Sequence, residues 1–94
     1  MRDYELVAII NPEADEEKVS EIVERMTQSV GSLGGEVAGV KNWGRRKLAY
    51  PIDRFMEGEY VLARMKLAPE SVRSLEEEMR AAGDIIRYLV VRVD

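Results

Sequence analysis

The residues best suited to chemistry form a basic stretch in the middle of the chain, Lys41-Asn42-Trp43-Gly44-Arg45-Arg46-Lys47. Guanidinium groups bind phosphate oxygens in a bidentate manner, and an aromatic ring offers a plane on which a base stacks. The stretch therefore suggests a phosphate-contacting edge, with Trp43 or the nearby Tyr50 as the stacking ring. A solvated edge strand whose cations deter aggregation explains the same pattern, and spacing alone slightly favours that alternative.

Further cations lie on the other predicted strands, namely Arg2, Arg64, Lys66, Arg87 and Arg92. They would extend the basic surface over one edge of a sheet, with Arg2 near Arg87 or Arg92. Cross-strand pairing with a carboxylate such as Glu5 or Glu59 is the structural alternative, and each such pair contributes roughly 0.2–1 kcal/mol. The sequence leaves this choice open.

Catalytic and metal-binding chemistry has little support in the composition. The chain contains no cysteine and no histidine, which excludes disulfides, thiol nucleophiles, zinc fingers and histidine acid–base catalysis. The carboxylate runs at 15–17 and 76–78 do not converge on one metal, because consecutive helical residues are rotated by about 100°. We therefore expect no catalytic residue and no metal site.

The charge of the chain is unevenly distributed. The formal net charge of the 94 residues is −4, which as a total argues against a polyanionic partner. Residues 36–68, however, contain seven Lys or Arg against four Asp or Glu, between two acidic flanks. The first apolar run, Leu6–Ile10, is too short for a secretory or membrane-spanning segment, so we expect a cytoplasmic protein with no membrane partner.

Hydrophobic periodicity predicts six elements in one domain, residues 1–94. Strands are predicted at Tyr4–Ile10, Glu36–Tyr50, Glu59–Leu67 and Ile85–Val93. The first helix begins at an Asp15 cap and ends at Gly34-Gly35, and the second runs from Pro69 to Gly83. Pro51–Gly58 is predicted to be a connector, and a β-bulge is predicted near Gly44.

The order of these elements is strand, helix, strand, strand, helix, strand. This βαββαβ arrangement is typical of the α+β ferredoxin-like fold, a four-stranded antiparallel sheet with two helices on one face. Right-handed crossovers place the first and third strands in the middle of the sheet. The other face is left open to water or to a partner.

The first and last strands are apolar on both of their faces, although helices cover only one side of the sheet. The side chains predicted to face away from the helices are Val7, Ile9, Leu89 and Val91. A modest exposed patch of this kind is tolerated in monomers. We favour the alternative that a protein partner covers it.

Several of these segments together resemble a known family. They are Tyr4-Glu5, Asn11-Pro12, Gly35, Gly58-x-Tyr60, Ile85-x-Arg87-x-x-Val90-Val91 and, most specifically, Trp43-Gly44-Arg45-Arg46-Lys47-Leu48-Ala49-Tyr50-Pro51-Ile52. In this order, over nearly the whole chain, they resemble the family of the sixth protein of the bacterial small ribosomal subunit.

That resemblance implies a ribosome-associated protein that binds the central domain of small-subunit rRNA. It implies a heterodimer with the eighteenth small-subunit ribosomal protein, and no catalysis, cofactor or small-molecule substrate. Arg45, Arg46, Lys47 and Tyr50 correspond to the family's basic second strand. Arg2 and Arg87 correspond to its strand-end cations.

Three other functions are compatible with the same fold. A small homo-oligomeric regulatory or ligand-binding module would use the apolar face for association, but the acidic loop after the first strand would repel anionic ligands. An acylphosphatase-like enzyme needs a cationic cradle in that loop and lacks it. An RNA-recognition motif needs aromatic residues on the third strand, where only Tyr60 is present.

Overall fold

A computed structural model describes residues 1–94 as one sheet covered by two helices. The elements are β1 (Arg2–Ile10), α1 (Glu16–Ser32), β2 (Glu36–Ile52), β3 (Phe55–Leu67), a 3-10 turn (Pro69–Ser71), α2 (Val72–Ala81) and β4 (Ile85–Arg92). The sheet is antiparallel with the strand order β2-β3-β1-β4. The predicted ferredoxin-like fold, with the first and third strands in the middle, is confirmed.

Both ends of α1 are formed by the residues that the sequence indicates. The Asp15 carboxylate accepts a hydrogen bond from the Lys18 backbone N–H at 2.8 Å, as an N-cap residue does. At the other end Gly34 has a φ of 82°, and the Gly35 N–H donates to the Val30 carbonyl at 2.9 Å. This is the Schellman arrangement, in which glycine adopts the left-handed conformation without steric cost.

The hydrophobic core lies between the sheet and the two helices. Alternate residues of the central strands point into it, and they are Tyr4, Leu6, Ala8 and Ile10 of β1 and Val61, Ala63, Met65 and Leu67 of β3. The helices contribute Val19, Ile22, Met26 and Val30 of α1 and Leu75 and Met79 of α2. Burial of each large side chain stabilises the fold by about 1.5–3 kcal/mol.

The β2–β3 hairpin is longer than predicted. The two strands are joined by only two residues, Asp53 and Arg54, whose φ values of 47° and 73° fit a type I′ turn. The predicted connector Pro51–Gly58 is therefore wrong. Pro51 is tolerated within β2 because β2 is an edge strand, where a missing N–H need not interrupt the sheet.

The end of this hairpin projects beyond the central strand. β1 pairs with β3 only from Glu59 to Leu67, so the hairpin residues 46–58, here called the arm, extend past the end of β1. The arm bends towards β4. The backbone of Gly58 packs against the side chains of Ile9 and Ile86, where a Cβ atom on Gly58 would overlap Ile9.

Candidate nucleic-acid interface

A β-bulge in β2 sets the geometry of the basic stretch. The register between β2 and β3 shifts between Asn42 and Gly44, which confirms the predicted bulge. Gly44 has a φ of 80°, and its N–H donates to the Asn42 Oδ1 atom at 2.7 Å. The bulge leaves Trp43 without a partner in the ladder, and 45% of this residue is exposed.

The cations around the bulge form no ion pairs, although Glu59 and Glu57 lie opposite Arg45 and Lys47 in the ladder. Lys41, Arg45, Arg46 and Lys47 are all exposed, and none of them takes part in an ion pair. The Arg46 guanidinium lies over the Trp43 ring, 5.4 Å from its centroid. Arg45 donates to the Pro12 carbonyl and so ties β2 to the β1–α1 loop. The positive charge of this segment is therefore exposed to solvent.

Arg87 of β4 joins this group through the bent arm. Its Nη1 donates to the Tyr50 hydroxyl, and its guanidinium lies 5.6 Å from the centroid of the Tyr50 ring. The structure thus brings together the second-strand cations and one strand-end cation. It also adds Arg54, an exposed turn residue that the sequence did not single out, because without a Gly or Asn its turn was not recognised.

Arg2 and Arg92 lie at the other end of the sheet. Arg92 pairs with Tyr4 near the start of β1, whereas Arg87 pairs with Ile9 near its end. At about 3.4 Å per residue, Arg2 is roughly 24 Å from the Arg87 end. The sequence predicts that Arg2 lies near Arg87 or Arg92. In the structure Arg2 lies at the Arg92 end of β4, far from Arg87.

Arg92 also differs from the cations of β2 and the arm because it forms an ion pair within the chain. It shares the helix-covered face with Tyr4, and its Nε donates to the Asp94 carboxylate at 2.8 Å. This hydrogen bond raises the pKa of Arg92 and lowers the pKa of Asp94. The Arg92 charge is accordingly less available to a polyanion than that of Lys47 or Arg46.

Two cations of β3 form cross-strand ion pairs with carboxylates instead of extending the basic surface. Arg64 forms an ion pair with Glu5 at 3.1 Å, and Lys66 lies 3.8 Å from the Asp3 carboxylate. Both pairs join β3 to β1 across the open face of the sheet. These residues stabilise the pairing of neighbouring strands.

The predicted apolar surface is present on β4. Leu89 is 59% exposed and Val91 42% exposed, and Leu89 lies directly opposite the half-buried Val7 on the open face. Ile9 belongs to the same face but is only 8% exposed, beneath the arm. The accessible part of this patch is therefore the edge strand β4 with Val7 beside it.

The 94 residues lack the features of a metal centre, of a buried unpaired polar group and of a membrane-spanning helix. No group of three or more acidic, histidine or cysteine side chains could hold a metal ion. No buried side-chain polar atom lacks a hydrogen-bond partner. None of the helices combines the length and hydropathy needed to cross a membrane.

Comparison with known proteins agrees with the fold. A model of the ribosomal protein S6 family matches residues 3–92. The chain belongs to the ribosomal protein S6 family. The small ribosomal subunit protein bS6 of Clostridium novyi is 43% identical over 91 residues, which cover 97% of this chain and 96% of that protein. The bS6 protein of Moorella thermoacetica is 37% identical over 94 residues, covering 100% and 96%.

A solved relative shows the same architecture. The crystal structure of 30S ribosomal protein S6 from Thermotoga maritima superposes with a TM-score of 0.92 and 32% identity, covering 98% of this chain and 87% of that one. Membership of the ribosomal protein S6 family makes the chain a structural, non-enzymatic protein of the small ribosomal subunit. The family resemblance and the ribosome-associated cytoplasmic location expected from the sequence are confirmed by these matches.

Proposed function

We propose that the chain binds small-subunit rRNA through the cations of β2 and the arm. The observation that carries this proposal is the exposure of Lys41, Arg46 and Lys47, none of which forms an ion pair, in a protein whose net charge is −4. Unpaired Lys and Arg side chains release counterions when they meet phosphates, and this release favours binding.

The acidic residues support the same orientation. Glu17, Glu21 and Glu24 are exposed on α1, in the helical layer. Lys41 and Arg46 lie on the open face of the sheet, away from that layer. Repulsion from phosphates directs this layer away from RNA, while the arm directs its cations towards it. Charge separation of this kind orients the molecule as it approaches, and the negative total charge does not oppose binding.

We further propose that the eighteenth small-subunit ribosomal protein packs against β4 and forms a heterodimer with this chain. The exposed Leu89 and Val91 supply apolar contact area there, with Val7 beside them. β4 is also an edge strand, so the backbone groups on its outer side are available to another chain. Through Arg87 the patch adjoins the arm, so one partner and the RNA can be bound side by side.

Paired charge reversals test the RNA surface. The double variant Arg46→Glu and Lys47→Glu should weaken binding of an rRNA central-domain fragment in the presence of the partner protein. It should also flatten the dependence of log K on log salt, because fewer counterions are released. The matched control is Arg25→Glu with Arg73→Glu, which reverses two exposed helix cations and changes the net charge equally. Equal loss of affinity in both variants would refute the assignment of the surface.

A further inference from the structure

We propose that Trp43 holds one unpaired nucleobase of the bound RNA by stacking, while Arg46 contacts the adjacent phosphate. This inference rests on the proposed RNA binding and adds a particular contact to it. It also assigns the stacking role to Trp43 and not to Tyr50, a choice that the sequence left open.

The backbone around Trp43 fixes the indole in an exposed position. The hydrogen bond from the Gly44 N–H to the Asn42 Oδ1 atom links the two residues that flank Trp43 in the bulge. The left-handed φ of Gly44 maintains a bend that other residues rarely adopt. A tryptophan typically buries 150–250 Å², so a tryptophan that is 45% exposed at a bulge is well suited to a ligand.

Arg46 covers one face of the Trp43 ring, and its N–H groups can donate hydrogen bonds to a phosphate. Its guanidinium lies over the indole, where the electron-rich ring face attracts the cation. Arg46 forms no ion pair with the protein, so its N–H groups are available to phosphate oxygens. A base on the opposite face of the indole would complete a guanidinium–indole–base stack.

Tyr50 is 56% exposed and, like Trp43, has an arginine over one face of its ring, but its hydroxyl is also bound by that arginine. Arg87 both donates to the Tyr50 hydroxyl and lies over the Tyr50 ring. These two contacts hold the arm against β4. Tyr50 therefore braces the arm, and Trp43 is left as the exposed stacking surface of the basic stretch.

The ligand is a base that is not paired within a helix. Bases in an A-form duplex are stacked on their neighbours, and side chains cannot enter the deep, narrow major groove. A base in a bulge, loop or junction can turn outward and stack on an aromatic side chain. Because every base has an aromatic face, this contact tolerates any nucleotide.

The single tryptophan of the chain makes the contact directly measurable. Incorporation of 5-fluorotryptophan gives one ¹⁹F resonance that reports only on Trp43, even with the partner protein present. Addition of the rRNA central-domain fragment to the labelled heterodimer should shift this resonance upfield through the ring current of the stacked base. Trp43→Ala should weaken RNA binding about ten-fold without changing its salt dependence, and Trp43→Phe should restore most of the affinity.

The outcomes separate this inference from the proposed function. If RNA binds, but the resonance does not move and Trp43→Ala binds equally well, the stacking contact is wrong and RNA binding stands. If the partner protein alone shifts the resonance and RNA adds nothing, Trp43 packs against protein and the inference is overturned. If the heterodimer does not bind the rRNA fragment, both proposals fail.

Discussion

Arg87 donates a hydrogen bond to the Tyr50 hydroxyl although their strands, β4 and β2, are the two opposite edges of the sheet. The contact forms because the arm bends across the end of β1, where Gly58 packs on Ile9. One consequence is that a β4 cation lies beside Tyr50 of the arm. Another is that the arm has a fixed position relative to the apolar edge.

Removal of the Tyr50 hydroxyl should loosen the arm. Tyr50→Phe keeps the ring beneath Arg87 but loses the hydrogen bond, which typically contributes about 0.5–1.5 kcal/mol. Amide hydrogen exchange within residues 46–58 should become faster. The matched control is Tyr88→Phe, which removes the hydroxyl that accepts from Arg80 Nη2 at 3.1 Å on the helix-covered side. Equal exchange in the arm of both variants would show that the Tyr50 contact does not hold it.

A methyl group at position 58 should be poorly tolerated. The Cβ atom of Gly58→Ala would overlap the Cγ2 methyl of Ile9, whose β-branched side chain has little freedom to move. We expect a loss of about 1–3 kcal/mol in the free energy of unfolding, as for other overpacked sites. Urea denaturation measures this loss.

Gly31→Ala serves as the control for that substitution. A Cβ atom at Gly31 meets nothing within 4 Å, and the residue lies in the last turn of α1. Because alanine is a better helix former than glycine, this variant should be more stable by about 0.5–1 kcal/mol. Destabilisation of both variants by the same amount would contradict the close packing of Gly58 against Ile9.

A charge on the exposed edge should block the partner protein. Leu89→Asp places a carboxylate at a residue that is 59% exposed, so the free energy of unfolding should change by no more than about 1 kcal/mol. Co-purification with the eighteenth small-subunit protein should nevertheless be lost. Val40→Asp, at an exposed valine of the opposite edge strand β2, should leave co-purification intact. Retention of the partner by Leu89→Asp would place the interface elsewhere.

The Asp94 carboxyl should remain ionised to a lower pH than an ordinary aspartate. The hydrogen bond from Arg92 lowers its pKa, and a second bond from the Asp3 backbone N–H acts in the same direction. The stabilising contribution of this group is therefore present above the usual aspartate pKa and is lost as the pH falls through the lowered value. Titration of the Asp94 carboxyl ¹³C resonance should show the shift, and Arg92→Met should abolish most of it. A similar change in Arg64→Met would contradict this cause.

The element order, the helix caps and the bulge were predictable because each depends on local residues. Asp15 and the Gly34-Gly35 pair act within one helical turn of the residues that they cap. Gly44 creates the bulge with its neighbour Asn42 alone. Family membership was also predictable, since its most specific residues form one continuous stretch.

The arm was not predictable from the same signals. Its turn uses Asp53 and Arg54, and neither is the glycine that normally marks a left-handed position. The contact between Tyr50 and Arg87 depends on the bend of the whole hairpin, which no local pattern encodes. The separation of Arg2 from Arg87, in contrast, already follows from the predicted antiparallel sheet, in which the start of β1 lies beside the end of β4.

The central position of β1 determines how the sheet can form during synthesis. Arg2 pairs with Leu67 and Tyr4 pairs with Arg92, so neither edge of β1 has a partner until most of the chain has been made. Contacts so distant in sequence are slow to form. The β2–β3 hairpin pairs locally and does not depend on them. The segment that we propose to contact RNA can therefore begin to pair early, but its arm reaches its final position only when Ile9 of β1 and Arg87 of β4 are in place.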